Sequence, residues 1–212
     1  MKLAIVTAIF GDYDDLHELP EDHGFDEAIC LTDNPNMRSK TWDIRLEQKS
    51  DNPRLLAKRP KMQPQRYVEA DAWVWVDGQI QTKKGFSEFA RSQIGEQVAA
   101  FQHPERACIY EEAEVVKSRN LARREVINHQ MALYKKAGMP ERFGLWECAV
   151  LVWPKSGLEL GRLWLQEVRR QSLRDQLALP FLSWSRGIKV ETLEGHSRSN
   201  PFTHWIRHRK GK

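Results

Sequence analysis

Asp77 follows Trp73-Val74-Trp75-Val76, four large apolar residues, and precedes Gly78. A carboxylate is thereby carried from a buried strand to a point where the backbone turns or is closely approached. A hard divalent cation such as Mg²⁺ or Mn²⁺ takes oxygen ligands, often one or two carboxylates, with diphosphate oxygens and water completing its shell. The plainer alternative is an Asp that closes a Val-Asp-Gly-Gln turn. The stretch Pro53 to Arg66 holds Arg54, Lys58, Arg59, Lys61 and Arg66 without an acid. Such cations repel one another unless an anion joins them, and Arg and Lys are natural diphosphate ligands. A solvated charged face is the competing reading.

Ser172-Leu173-Arg174-Asp175 matches a helix start with a capping box, placing Asp175 at the third helical position. A carboxylate there stays ionised near the positive end of the helix dipole, as a general base requires. Gly144-Leu145-Trp146-Glu147 sets a ring and an acid just before a strand. A ring covers sugar C–H faces and an acid accepts hydroxyl hydrogen bonds, although Trp146 equally suits a core. None of the seven histidines shows the spacing of a helical zinc site. His196, His204 and His208 follow the last expected strand, where one can fold back to complete a metal site. A Walker loop and a dinucleotide glycine fingerprint are absent.

Lys2 to Phe10, Ala28 to Thr32 and Ala72 to Gln81 read as buried strands, with further strands at Ala107 to Tyr110, Ala149 to Trp153 and Ile188 to Leu193. Helical spacing links Phe86, Phe89, Ala90, Ile94 and Val98, then Ile127, Met131 and Tyr134, and later Leu160, Leu163, Trp164 and Val168. The prolines at 53, 60 and 64 argue against a long regular helix in the basic run and for some of its cations on a loop, although the pattern allows a helix between Arg54 and Arg59. Strands mixed with such helices indicate an α/β sandwich with a mostly parallel central sheet. Ligands then bind beyond the C-terminal ends of the strands. The polar residues expected there are Asp12 and Tyr13, Asp33 and Asn34, and Asp77.

A chain of 212 residues with 41% hydrophobic and 29% charged residues fits one globular domain, here residues 1–206 with a basic tail at 207–212. No signal peptide or membrane-spanning run is seen. Cys30, Cys108 and Cys148 sit in apolar stretches and read as buried free thiols, which points to a reducing, cytoplasmic setting. The net charge of +4 suits an anionic partner. A nucleic acid is one such partner, but most of the Trp residues fall in apolar strands or helix faces, where packing explains them.

These stretches, in order, resemble the TOD/MUCI glycosyltransferase-like domain family. The likeness rests on Thr7-Ala8-Ile9-Phe10-Gly11-Asp12-Tyr13, Thr32-Asp33-Asn34, Arg54 to Met62, Trp75-Val76-Asp77-Gly78, His103-Pro104, Tyr110-Glu111-Glu112, Gly138-Met139-Pro140, Gly144 to Glu147 and Arg174-Asp175-Gln176. The resemblance implies a single-domain glycosyltransferase A-like sandwich. It would use a nucleotide-sugar donor, a glycan or other hydroxyl acceptor, and Mn²⁺ or Mg²⁺. Asp77 would take the place of the family's metal-binding aspartate, with Gln79 where a second acid often stands, and His196 or His204 would be the C-terminal histidine ligand. Asp12, Tyr13 and Asp33 would lie near the nucleoside, and Arg54, Lys58, Arg59, Lys61 and Gly78 near the rest of the donor. Asp175 would be the base, and Glu147 would position the acceptor, beside Trp146, or substitute as base. A member of the fold that binds without catalysing is the rival that Gln79 keeps open.

Overall fold

The computed structural model describes residues 1–197 and 200–207. Expectations falling on His208 and on the rest of the basic tail beyond exposed Arg207 lie outside the described residues. Seven strands form one sheet in the order β3-β2-β1-β4-β7-β6-β8. They are β1 (Leu3–Ile9), β2 (Glu27–Thr32), β3 (Asp43–Leu46), β4 (Ala72–Val76), β6 (Ala99–Gln102), β7 (Trp146–Pro154) and β8 (Glu191–Leu193). Only β7 runs against the others, through antiparallel pairing with β4 and β6. The sheet is thus mostly parallel, as the sequence indicates. A separate ribbon pairs β5 (Ile80–Thr82) with β9 (Thr203–Trp205).

Alternation along each strand feeds two cores. Trp73 and Trp75 of β4 pack with α1 (Pro53–Met62), α5 (Leu158–Arg170) and α6 (Asp175–Arg186), while Val74 and Val76 face α2 (Phe86–Ser92) and Phe101 on the other side. A third cluster joins α3 (Ile109–Ser118), α4 (Arg124–Lys136) and Leu177 of α6. At Gly161 of α5 the end of α1 approaches closely. A Cβ there would meet the Met62 carbonyl oxygen at 2.0 Å, so the end of α1 that carries Lys61 is seated directly on α5.

Several elements differ from the expectations. Ala107 to Tyr110 is not a strand but leads into α3, because Ile109, Ala113 and Val116 are buried together at helical spacing. The helix from Phe86 stops at Ser92 and Val98 belongs to the strand side. The Glu191 carboxylate accepts the Glu96 and Gln97 N–H groups at 3.0 and 3.1 Å and turns the chain there. Ala72 to Gln81 is divided by a turn at Asp77, leaving Ile80 and Gln81 in the ribbon. Helix α1 passes through Pro60, whose missing donor falls near the helix end and costs a single bond. The cysteines 30, 108 and 148 are free and buried, and among the described residues no helix is long and apolar enough to cross a membrane.

Candidate functional site

The reversed direction of β7 brings its first residues beside the ends of the parallel strands. The Asp77 N–H donates to the Ala149 carbonyl at 2.8 Å, so Asp77 and Glu147 emerge at the same edge of the sheet. A cavity of about 500 Å³ opens there, lined by Tyr13, Arg54, Lys58, Lys61, Asp77, Gly78, Glu147 and Asp175 among others. A second hollow adjoins it at Gly11 and Pro53 and is lined by Asp12 and Asp33. Asp12 holds a left-handed backbone (φ 52°), and its Oδ1 accepts from Asn34 Nδ2 at 3.1 Å. Asp33 Oδ1 accepts the Gly11 N–H at 2.9 Å. Gly78 matters through close approach, since a Cβ there would lie 3.2 Å from both Asp14 and Ile9.

Helix α1 sorts the basic run. Asn52 caps it, accepting the Leu55 N–H at 3.0 Å, and Pro53 starts it without forfeiting a bond. All four cations from Arg54 to Lys61 therefore lie on one helix. Arg54, Lys58 and Lys61, spaced i, i+4 and i+7, share the face that lines the cavity. Arg59 lies on another face, exposed and outside the lining.

The Lys61 side chain is 3% exposed, and its Nζ lies 3.0 Å from Asp77 Oδ1 and 2.7 Å from Asp175 Oδ2. Lys58 Nζ reaches the same Asp175 oxygen at 2.7 Å. Trp75 Nε1 also donates to Asp77 Oδ1, at 2.7 Å. Burial alone would make Asp175 a weaker acid, but the two ammonium groups outweigh it and hold its pKa far below the usual carboxylate range. Burial likewise opposes the charge on Lys61, and there the Asp175 and Asp77 carboxylates prevail and raise its pKa. Lys58 has only a shared oxygen, so burial and the neighbouring Lys61 ammonium leave its pKa below the ordinary 10.5.

This ordering gives a pH expectation. As pH rises, Lys58 loses its proton before an ordinary lysine does, and the positive wall of the cavity weakens. Affinity for a nucleoside diphosphate, measured calorimetrically, should fall on the alkaline side at a lower pH than in Lys58→Arg, whose guanidinium stays charged. Identical profiles for the two proteins would remove Lys58 from the anion-binding wall.

Asp175 is the first residue of α6, not the third, and its cap residue Arg174 makes no side-chain cap bond. The expected capping box does not form, because Ser172 Oγ turns inward to donate to Gln130 Oε1 at 2.6 Å. Glu147 Oε2 accepts from Ser197 Oγ at 2.6 Å and Ser197 N at 3.2 Å. Trp146 is half-buried against the core, edge-on to Phe143, and does not line the cavity. His204 is exposed on β9, whose next residue, Trp205, lines the cavity. Sequence reasoning also missed Arg174, Gln176, Ser197 and Trp205, all in the lining. Arg174 and Gln176 had one signal, their place in the Arg174-Asp175-Gln176 stretch, and Ser197 and Trp205 had none.

No cluster of three or more His, Cys, Asp or Glu suited to a metal occurs among the described residues. Gln79 lines the cavity with Asp77, whereas His196 lies outside that lining, next in sequence to Ser197, which is in it. Among the described residues Gln79 Oε1 and His196 Nδ1 are buried without a hydrogen-bond partner, and the side-chain bonds of Asp77 fall on its Oδ1. A carboxylate oxygen, an amide oxygen and an imidazole nitrogen are ligands that Mn²⁺ and Mg²⁺ accept when diphosphate oxygens supply the remainder. By ligand chemistry, these residues fit such an ion.

A mixed α/β domain with a mostly parallel sheet, and a cavity of cations and carboxylates at its strand ends, is of the glycosyltransferase A-like class. The family described as TOD1/MUCI70, glycosyltransferase-like domain, matches residues 41–193, and the chain belongs to that family. A comparison with curated proteins finds no match. Five of the eight Trp residues, 42, 73, 75, 153 and 164, are buried and offer no stacking platform to bases.

Proposed function

We propose that this chain transfers a glycosyl group from a nucleoside-diphosphate sugar to a hydroxyl of a glycan or other acceptor. The observation that carries this reading is the row Arg54, Lys58 and Lys61 on one face of α1, set across the cavity edge from Asp77. The cations bind the diphosphate and stabilise the negative charge that builds on it as the glycosidic bond breaks. The adjoining hollow, with Asp12 and Asp33, takes the nucleoside, and Tyr13 stands at the cavity between them. Asp77, Gln79 and His196 would hold Mn²⁺ or Mg²⁺, which when bound supplies further charge stabilisation to the leaving diphosphate.

Two carboxylates in the cavity divide the remaining work. Asp175, pinned by two ammonium groups, is a poor proton acceptor, and its role is to fix Lys58 and Lys61 toward the donor. Glu147 is the residue that takes the acceptor proton in an inverting transfer, with Ser197 orienting it. The test is a thermal-shift screen of nucleotides and nucleotide-sugars, with and without Mn²⁺, followed by turnover of the donor that binds. A ligand at 100 times its Kd stabilises by about 2.7 kcal/mol. No shift with any nucleotide, together with salt-dependent retention on DNA or RNA, would replace this reading by nucleic-acid binding. A donor bound but never turned over would leave a binding module.

A further inference from the structure

Asp77, the one carboxylate offered to a metal by its strand, is already neutralised. Lys61 Nζ and Trp75 Nε1 both bond its Oδ1, at 3.0 and 2.7 Å. Lys61 is itself fixed, 3% exposed and shared with Asp175, so it cannot swing into solvent to make way for an ion. Mn²⁺ approaching the ligand-free site meets the Asp77 carboxylate, the neutral Gln79 side chain and the buried Lys61 ammonium group. That is a weak site for a hard dication, which is held mainly by anionic oxygens.

The same wall is well supplied for an anion. Arg54, Lys58, Lys61 and Arg174 all line the cavity, and of these four cations Lys58 and Lys61 are the two paired with Asp77 and Asp175. Among the described residues Arg54 forms no ion pair with a carboxylate. Arg174 Nε is buried and has no hydrogen-bond partner among the described residues. A buried donor left without an acceptor is costly, and an anionic oxygen would relieve it.

Building on the donor reading above, we propose that the diphosphate binds first and without metal, seated by Lys58, Lys61, Arg54 and Arg174, and that a divalent ion enters only afterwards. The bound diphosphate supplies the anionic oxygens that the ligand-free site lacks. Arg174 is then a donor-binding residue.

The test measures each ligand alone on metal-stripped protein. Calorimetry in EDTA would titrate UDP, GDP, ADP, CDP, inorganic pyrophosphate and the matching nucleosides, and electron paramagnetic resonance would follow Mn²⁺ added to ligand-free protein. At least one nucleoside diphosphate should bind in EDTA, while Mn²⁺ alone stays free in solution. Arg174→Met should weaken that diphosphate about ten- to hundredfold, the worth of a charged hydrogen bond, and leave the nucleoside unchanged. Arg174→Lys should recover part of the loss, with circular dichroism confirming the fold of both variants. Diphosphate binding that appears only with Mn²⁺, or Mn²⁺ held tightly by the ligand-free protein, overturns the proposed order and leaves the function standing. Unchanged diphosphate affinity in Arg174→Met removes Arg174 from the seat. If no nucleoside diphosphate binds in any arm, with Mn²⁺ or without, the donor reading itself fails and this inference with it.

Discussion

Glu147→Gln is expected to lower turnover by about 10²–10⁴-fold while leaving donor affinity near the wild-type value. The amide is nearly the same shape, and its oxygen can still accept from Ser197 Oγ, which lies 2.6 Å from Glu147 Oε2. What it loses is the capacity to take a proton. Donor affinity should hold because the cations that seat the diphosphate stand on α1 and at the start of α6, where Lys58 and Lys61 are held by Asp175 and Asp77. Ser197→Ala serves as the companion variant. If Glu147 is the base, removing its orienting hydroxyl should lower turnover by less than Glu147→Gln does. If Glu147 only anchors the segment at Ser197, both variants should lower the melting temperature and the folded fraction should turn over at the wild-type rate. Purified variants compared by single-turnover kinetics and thermal melting decide the matter.

The fold was legible where local pattern and tertiary role coincide. β1, β2, β4 and β7 are runs of Val, Ile, Leu and Trp buried on both faces of the sheet, so their composition alone marks them. The failures share a different cause. α3 begins within an apolar run too short to separate strand from helix. The loop between α2 and β6 is held by Glu191, almost a hundred residues later, whose carboxylate accepts the Glu96 and Gln97 N–H groups. β3 is short and half-exposed, with the sequence Asp-Ile-Arg-Leu, and takes its place from pairing with β2. Neither signal is local.

The candidate site divides in the same way. Asp77 could be found because a strand delivers it, and Arg54, Lys58 and Lys61 because their density is unusual. That they act as one face was hidden by Pro60, which argues against a helix from sequence and is tolerated near its end. The partnership of Lys58 and Lys61 with Asp175 spans more than a hundred residues and exists only because α1 and α6 are neighbours of α5. Arg174 and Ser197 reach the cavity from loops, where residue type gives no warning of direction.

Asp175→Asn should therefore destabilise the ligand-free protein strongly, by about 3–5 kcal/mol, the usual cost of removing one partner from a buried ion pair. The Asp175 side chain is 10% exposed, and its Oδ2 stands 2.7 Å from both Lys58 and Lys61 Nζ. The amide would leave two buried ammonium groups with Asp77 as their remaining carboxylate. The loss of a helix cap would cost only about 1 kcal/mol, and the one first-turn bond Asp175 makes, its Oδ1 accepting the Gln176 N–H at 3.1 Å, can be kept by the Asn carbonyl oxygen. The pH dependence has a definite sign. Because the native pKa of Asp175 is depressed, its contribution is present above the ordinary carboxylate range and is lost as pH falls below it toward the native value. The stability gap between wild type and Asp175→Asn, read from urea unfolding, should therefore narrow in acid. Inorganic pyrophosphate should also narrow it, since an anion can replace the missing charge between the lysines. If the variant is as stable as wild type at neutral pH and loses only turnover, Asp175 is a catalytic base rather than the anchor of the two lysines.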